Sequence, residues 1–89
     1  MKVQQQLEAL ELLAEAISVR VSYEPMAGIV QRTGGLCRVR GEYRIIIDRR
    51  LKTPERVQIL VEALQRFDTS GHELDPEIHR LLSPARAVG

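Results

Sequence analysis

The 89-residue chain is long enough for one domain with one hydrophobic core. Aromatic residues make up only 3% of it, and 13 Lys and Arg nearly balance 12 Asp and Glu, giving a formal net charge of +1. This composition disfavours nucleic-acid binding and membrane-surface binding. The single cysteine, Cys37, excludes an internal disulfide and an all-cysteine metal site. We find no apolar run typical of a signal peptide or a membrane span, and therefore expect a cytoplasmic protein.

The first predicted element is a helix from about residue 2 to residue 16. Its apolar side chains recur every three or four residues and form one stripe that faces a core: Val3, Leu7, Leu10, Ala14 and Ile17. Alternation of polar and apolar residues from Ser18 to Tyr23 then predicts a half-buried strand that ends before Pro25. Glycine and proline between Glu24 and Gly35 indicate a loop or a short irregular strand.

The clearest strand pair is a hairpin of segments 36–40 and 43–48. A two-residue turn at Gly41-Glu42 would place Arg38 beside Ile45, whereas a three-residue loop at 40–42 would place Cys37 there. We favour the second register because it gathers five apolar side chains on one face: Cys37, Val39, Tyr43, Ile45 and Ile47. It makes Cys37 a buried core residue and sets Arg38 opposite Arg44 on the polar face.

Two helices follow the hairpin. Thr53 as N-cap and Pro54 at the first position predict a helix to about Phe67. Asp75 caps a short last helix that begins at Pro76. The predicted fold class is therefore α+β in the order α-β-β-β-α-α, with a small antiparallel three-stranded sheet packed against helices. We expect a single domain over residues 1–83 and a flexible tail over residues 84–89.

One segment of the chain is similar to a known family. It reads Gly34-Gly35-Leu36-Cys37-Arg38-Val39-Arg40-Gly41-Glu42-Tyr43-Arg44-Ile45-Ile46-Ile47-Asp48 and is followed by Arg49-Arg50-Leu51, Pro54-Glu55-Arg56 and an apolar helix. Over about residues 28–67 this order resembles the core of the ImmA/IrrE-type zinc peptidases, bacterial enzymes that cut a partner transcriptional regulator. In that family, a similar hairpin leads through an arginine-bearing segment into a helix that carries H-E-x-x-H.

The zinc-binding residues of that motif are missing here. Val61 stands in place of the first histidine, Glu62 keeps the glutamate, and Gln65 replaces the second histidine. Valine cannot ligate zinc, and a glutamate without a metal-bound water has nothing to activate. The resemblance thus implies a degenerate relative with no cofactor, in which Glu62 and Gln65 are vestiges of a site. In the simpler interpretation, Glu62 forms an exposed ion pair with Arg66.

Positive charge concentrates in the middle third of the chain. Five arginines there form a predicted surface for an anion or a partner: Arg38, Arg40, Arg44, Arg49 and Arg50. Our leading hypothesis is a non-catalytic protein-interaction or regulatory module that acts as a homodimer or with an unidentified protein partner, since a small sheet leaves open edges. One alternative is a hydrolase whose site is assembled across subunits, for instance from Glu62 with His72 or His79. Another is a weak nucleic-acid binder that uses the arginine-rich hairpin, disfavoured because stacking aromatics are few.

Overall fold

The computed structural model describes residues 1–25 and 34–83. Its elements are α1 (Val3–Ala16), β1 (Arg20–Glu24), β2 (Gly34–Val39), β3 (Glu42–Asp48), α2 (Thr53–Leu64) and α3 (Pro76–Leu82). The predicted α+β class and element order are confirmed. Most of the predicted 24–35 loop, and the predicted tail over 84–89, lie outside the described residues. Within the described ranges, no helix is long and apolar enough to cross a membrane.

The sheet is mixed, so the prediction of a purely antiparallel sheet is wrong. Its strand order is β1-β3-β2, with β3 parallel to β1 and antiparallel to β2. A parallel pair cannot be joined by a tight turn and needs a long connection. Strand β2 runs antiparallel to β3 and returns the chain to the end of the sheet where β1 starts. Strand β3 can therefore insert between its two predecessors.

The hairpin adopts neither of the two predicted registers. Its turn is Arg40-Gly41, and both residues have positive φ, 52° and 83°. A two-residue turn with this geometry matches the right-handed twist of paired strands. It places Leu36 opposite Ile45 and Cys37 opposite Arg44.

This register moves two apolar residues away from the core. Cys37 and Val39 lie on the opposite face of the sheet from Ile45, because adjacent residues in a strand point to opposite faces. Cys37 is half-buried there, so its predicted place in the core is wrong. The predicted pairing of Arg38 with Arg44 is wrong for the same reason.

The turn geometry makes a substitution at Gly41 informative. We expect Gly41→Ala to lower the free energy of unfolding by about 1 kcal/mol, because an alanine at positive φ is strained even where space is available. An added Cβ at Gly41 would meet no atom within 4 Å, and the same is true at Gly35, where φ is not positive. Gly35→Ala is therefore the matched control and is expected to cost nothing in urea denaturation. Equal losses for the two variants would contradict the turn geometry.

The core lies between one face of the sheet and the three helices. Its centre consists of fully buried aliphatic side chains from every layer: Leu10, Ile45, Ile47, Leu60, Leu64 and Ile78. The predicted stripe of α1 is buried at Leu7, Leu10 and Ala14, whereas Val3 is 37% exposed at the start of the helix.

We refer to the face of the sheet turned away from the helices as the outer face. It carries Arg20, Ser22, Glu24, Cys37, Val39, Glu42, Arg44, Ile46 and Asp48.

The helix caps follow the sequence signals in part. The Asp75 carboxylate accepts a hydrogen bond from the backbone N–H of Glu77 at 2.9 Å, which confirms the predicted N-cap of α3. In α2 the N-cap is Lys52 rather than Thr53, and its backbone N–H donates to the Glu55 carboxylate at 3.1 Å. Helix α2 ends at Leu64, three residues before the predicted end at Phe67. Phe67 lies in the turn that follows and packs against the core.

Candidate functional site

Two arginines stand side by side on the outer face. Arg20 of β1 and Arg44 of β3 are directly paired in the parallel register. The ion pairs of the described residues are Met1 with Glu77 and Arg50 with Asp48, so neither outer-face arginine has a carboxylate within 4.0 Å. Directly opposed like charges destabilise a sheet. The pair therefore brings two positive charges close together on a face whose strand ends carry Glu24 and Glu42.

Arg44 is the more constrained of the two side chains. Arg20 is exposed, whereas Arg44 is half-buried, and its Nε atom is shielded from solvent. Among the described residues this Nε–H has no hydrogen-bond acceptor. A buried donor without an acceptor costs free energy comparable to a lost hydrogen bond. An acceptor supplied by another molecule would remove that cost.

Apolar side chains border the two arginines. Val39 is 42% exposed, and Cys37 and Ile46 are half-buried on the same face. None of the three belongs to the buried core or packs against it. The outer face thus combines exposed apolar surface with two arginines that form no ion pair in the described part of the chain.

The remaining arginines of the predicted anion surface are spread over other parts of the domain. Arg38 extends beside the Tyr43 ring, with its guanidinium carbon 5.4 Å from the ring centroid, on the strand face that the helices cover. Arg40 occupies the hairpin turn, and Arg49 and Arg50 follow β3 at the other end of the hairpin. The five predicted residues therefore do not form one surface, and only Arg44 lies on the outer face.

Arg50 serves the fold. Its backbone N–H donates to the Asp48 carboxylate at 3.0 Å, and its side chain donates to the same carboxylate at 3.2 Å and 2.9 Å. Asp48 is only 4% exposed, and the hydrogen bonds from Arg50 lower its pKa. This pair holds the turn after β3.

A polar cluster joins α1, β1 and α2 at one edge of the core. The Tyr23 hydroxyl donates a hydrogen bond to the Glu11 carboxylate, and the Arg56 guanidinium lies over the Tyr23 ring at 4.6 Å from its centroid. Arg56 also donates to the backbone carbonyls of Leu51 and Arg49, at 2.9 Å and 2.8 Å. These contacts of Arg56 and Tyr23 connect the 49–51 loop and β1 to the helices, so the cluster stabilises the fold.

The pKa of Tyr23 yields a prediction at alkaline pH. Burial is the main cause that raises this pKa, and the hydrogen bond to Glu11 and its negative charge raise it further. The unfolded chain then loses its Tyr23 proton near the ordinary pKa of about 10, while the folded chain keeps it, so stability is lost as the pH rises above about 10. We expect thermal denaturation to show a steeper alkaline loss for the wild type than for Tyr23→Phe. A Tyr23→Phe slope equal to that of the wild type would contradict the assignment.

The residues that match the zinc-peptidase motif do not gather into a metal site. Glu62 is exposed on α2 and accepts a hydrogen bond from Gln58 at 3.2 Å. The predicted pair of Glu62 with Arg66 is absent from the ion pairs of the described residues. Gln65, His72 and His79 line a groove of about 770 Å³ between α2 and α3, which does not include Glu62. Within residues 1–25 and 34–83, no group of three histidine, cysteine, aspartate or glutamate residues could hold a metal ion.

Arg20 is the outer-face residue that sequence reasoning missed. The alternation of β1 placed it correctly on the polar side of its strand, but the hairpin was the only strand pairing that the sequence predicted. The parallel pairing with β3 is what brings it beside Arg44.

A second concave surface lies along the edge of β1. It encloses about 620 Å³ between α1 and the sheet, and its polar lining consists of Glu11, Glu15, Ser18, Arg20, Tyr23, Glu42 and Tyr43. Arg20 thus stands at the border between this acidic groove and the outer face.

No protein-family profile, no curated protein and no solved structure matches this chain.

Proposed function

We propose that this chain is a non-catalytic protein-interaction or regulatory module that contacts its partner through the outer face of the sheet. One observation carries the proposal: the helices cover one face, while the other presents Arg20 and Arg44 beside an exposed Val39, and neither arginine forms an ion pair within residues 1–25 and 34–83. Protein interfaces are enriched in arginine and combine apolar contact with polar groups that are satisfied on binding.

The partner in this proposal is a second copy of the chain or another protein. In the described sheet, β1 and β2 each pair on one side only, so each offers an unpaired edge. Such edges accept a strand from another chain unless they are protected. A homodimer that covers the outer face and one edge would also enlarge the core of a small domain, whose stability margin is narrow.

The proposal includes a relationship to the core of the ImmA/IrrE-type zinc peptidases in which the metal site is absent. The order of hairpin, arginine-bearing turn and apolar helix supports the relationship. Val61 and Gln65, at the positions of the two histidines, support the absence of the metal site. We therefore expect the purified protein to contain no bound zinc.

Light scattering and elemental analysis of one untagged sample test the proposed function. We expect no zinc, and for the homodimer a mass of twice the 10.1 kDa chain. Val39→Asp on the outer face should shift the dimer to a monomer, whereas Leu12→Asp should not, because Leu12 is 66% exposed on α1, away from the sheet.

A monomeric wild type would point to a different protein as the partner. A photo-crosslinker attached to Cys37, on the outer face, should then capture one protein from an extract of the source cells. Stoichiometric zinc would contradict the proposal, as would a monomer that captures nothing.

A further inference from the structure

We infer that the outer face binds an acidic peptide segment, one carboxylate of which lies between Arg20 and Arg44. This inference rests on the proposed function and names the chemistry of the partner. The segment would belong to another protein and would carry a glutamate or aspartate between apolar residues.

The positions of the two arginines make a carboxylate the complementary group. Directly paired positions on adjacent strands lie roughly 5 Å apart, so the side chains of Arg20 and Arg44 leave the sheet next to each other on the outer face. A carboxylate has two oxygens and accepts hydrogen bonds from more than one guanidinium N–H. Bound between Arg20 and Arg44, it would neutralise their repulsion and could accept a hydrogen bond from the shielded Nε–H of Arg44.

The rest of the outer face favours a peptide over a nucleic acid. Cys37, Val39 and Ile46 provide apolar contacts next to the arginines, which suit a peptide whose single acidic side chain is flanked by apolar residues. Glu24 and Glu42 stand at opposite ends of the paired strands, on the same face as the two arginines. A continuous phosphate chain would meet these carboxylates, whereas a single acidic side chain would not. The net charge of +1 also supplies little long-range attraction for a polyanion.

Fluorescence anisotropy with a defined peptide tests the inference. The probe is a short fluorescein-labelled peptide of alternating valine and serine in which one central serine is replaced by glutamate, and its control has glutamine at that position. We expect the protein to bind the glutamate peptide and not the glutamine control. The double variant Arg20→Gln/Arg44→Gln should weaken its binding by about tenfold or more, since two charged contacts are removed together.

A double variant with the same change of charge provides the control. Arg66 and Arg80 are exposed on the helical side of the domain, and Arg66→Gln/Arg80→Gln should leave peptide binding within about twofold of the wild type. Arg44→Lys keeps the charge but loses the forked geometry, and we expect an intermediate loss. Thermal denaturation of each variant verifies that it is folded.

Three outcomes would overturn the inference. The first is an equal loss for both double variants, which would indicate a non-specific effect of charge. The second is tighter binding of an oligothymidylate of matched length that displaces the peptide, which would indicate a phosphate ligand. The third is failure of the glutamate peptide to bind while Val39→Asp still disrupts self-association or Cys37 crosslinking. That last result would reject the acidic partner and leave the proposed function standing.

Discussion

Replacing Ile45 by alanine is expected to lower the free energy of unfolding by about 3–4 kcal/mol. Ile45 is fully buried in the central strand, with Val21 of β1 on one side and Leu36 of β2 on the other. Truncation removes apolar contacts and leaves a cavity between the sheet and the helices. The cavity cannot close, because the side chains around it are already closely packed. For a domain of this size such a loss is a large part of the total stability.

The next residue of the same strand provides the matched control. Ile46 is half-buried on the outer face and lies outside the core, so Ile46→Ala should cost less than about 1.5 kcal/mol. Urea denaturation of the two variants measures the difference directly. Equal costs at Ile45 and Ile46 would show that both faces of the sheet are packed equally, contrary to the one-sided core described above.

The second large effect is expected at Tyr23. Tyr23→Ala removes the hydrogen bond to Glu11, the contact with the Arg56 guanidinium and the packing of the ring against the core. We expect a loss of about 2–3 kcal/mol in the free energy of unfolding, below the range for a fully buried ring because Tyr23 is only half-buried.

The variant Tyr23→Phe separates these contributions. It keeps the ring beneath Arg56 and removes only the hydroxyl, so its expected cost is about 1 kcal/mol. Chemical denaturation near neutral pH measures both variants. If Tyr23→Phe cost as much as Tyr23→Ala, the hydrogen bond to Glu11 would dominate the cluster; if neither variant lost stability, the cluster would not fasten β1 to the helices.

The helices were predictable because their signals are local. The spacing of Leu7, Leu10 and Ala14 and the Asp75-Pro76 start each depend on a few neighbouring residues, and the structure confirms both. The first position of α2 was missed by one residue, since Lys52 and Thr53 are both compatible with the following Pro54. Helix ends are commonly uncertain by this amount.

The sheet was less predictable because its pairings are not local. The alternation of apolar residues favoured a register that placed Cys37 and Val39 on the same face as Ile45. That pattern could not predict a turn in which Arg40 has a positive φ. Single-strand patterns also contain no information on which strand lies beside β1. The arrangement of Arg20 next to Arg44 follows from that pairing, so the candidate site could not be assembled from the sequence.

The central place of β3 has a consequence for synthesis of the chain. β1 and β2 leave the ribosome before β3, yet β1 and β2 do not pair with each other in the finished sheet. No backbone hydrogen bond of the described sheet can form before residues 42–48 have been synthesised. The parallel pairing joins positions 24 residues apart in the chain, such as Arg20 and Arg44. The nascent N-terminal half therefore exposes the apolar stripe of α1 without a sheet to cover it, the condition in which chaperones and proteases act on unfinished chains.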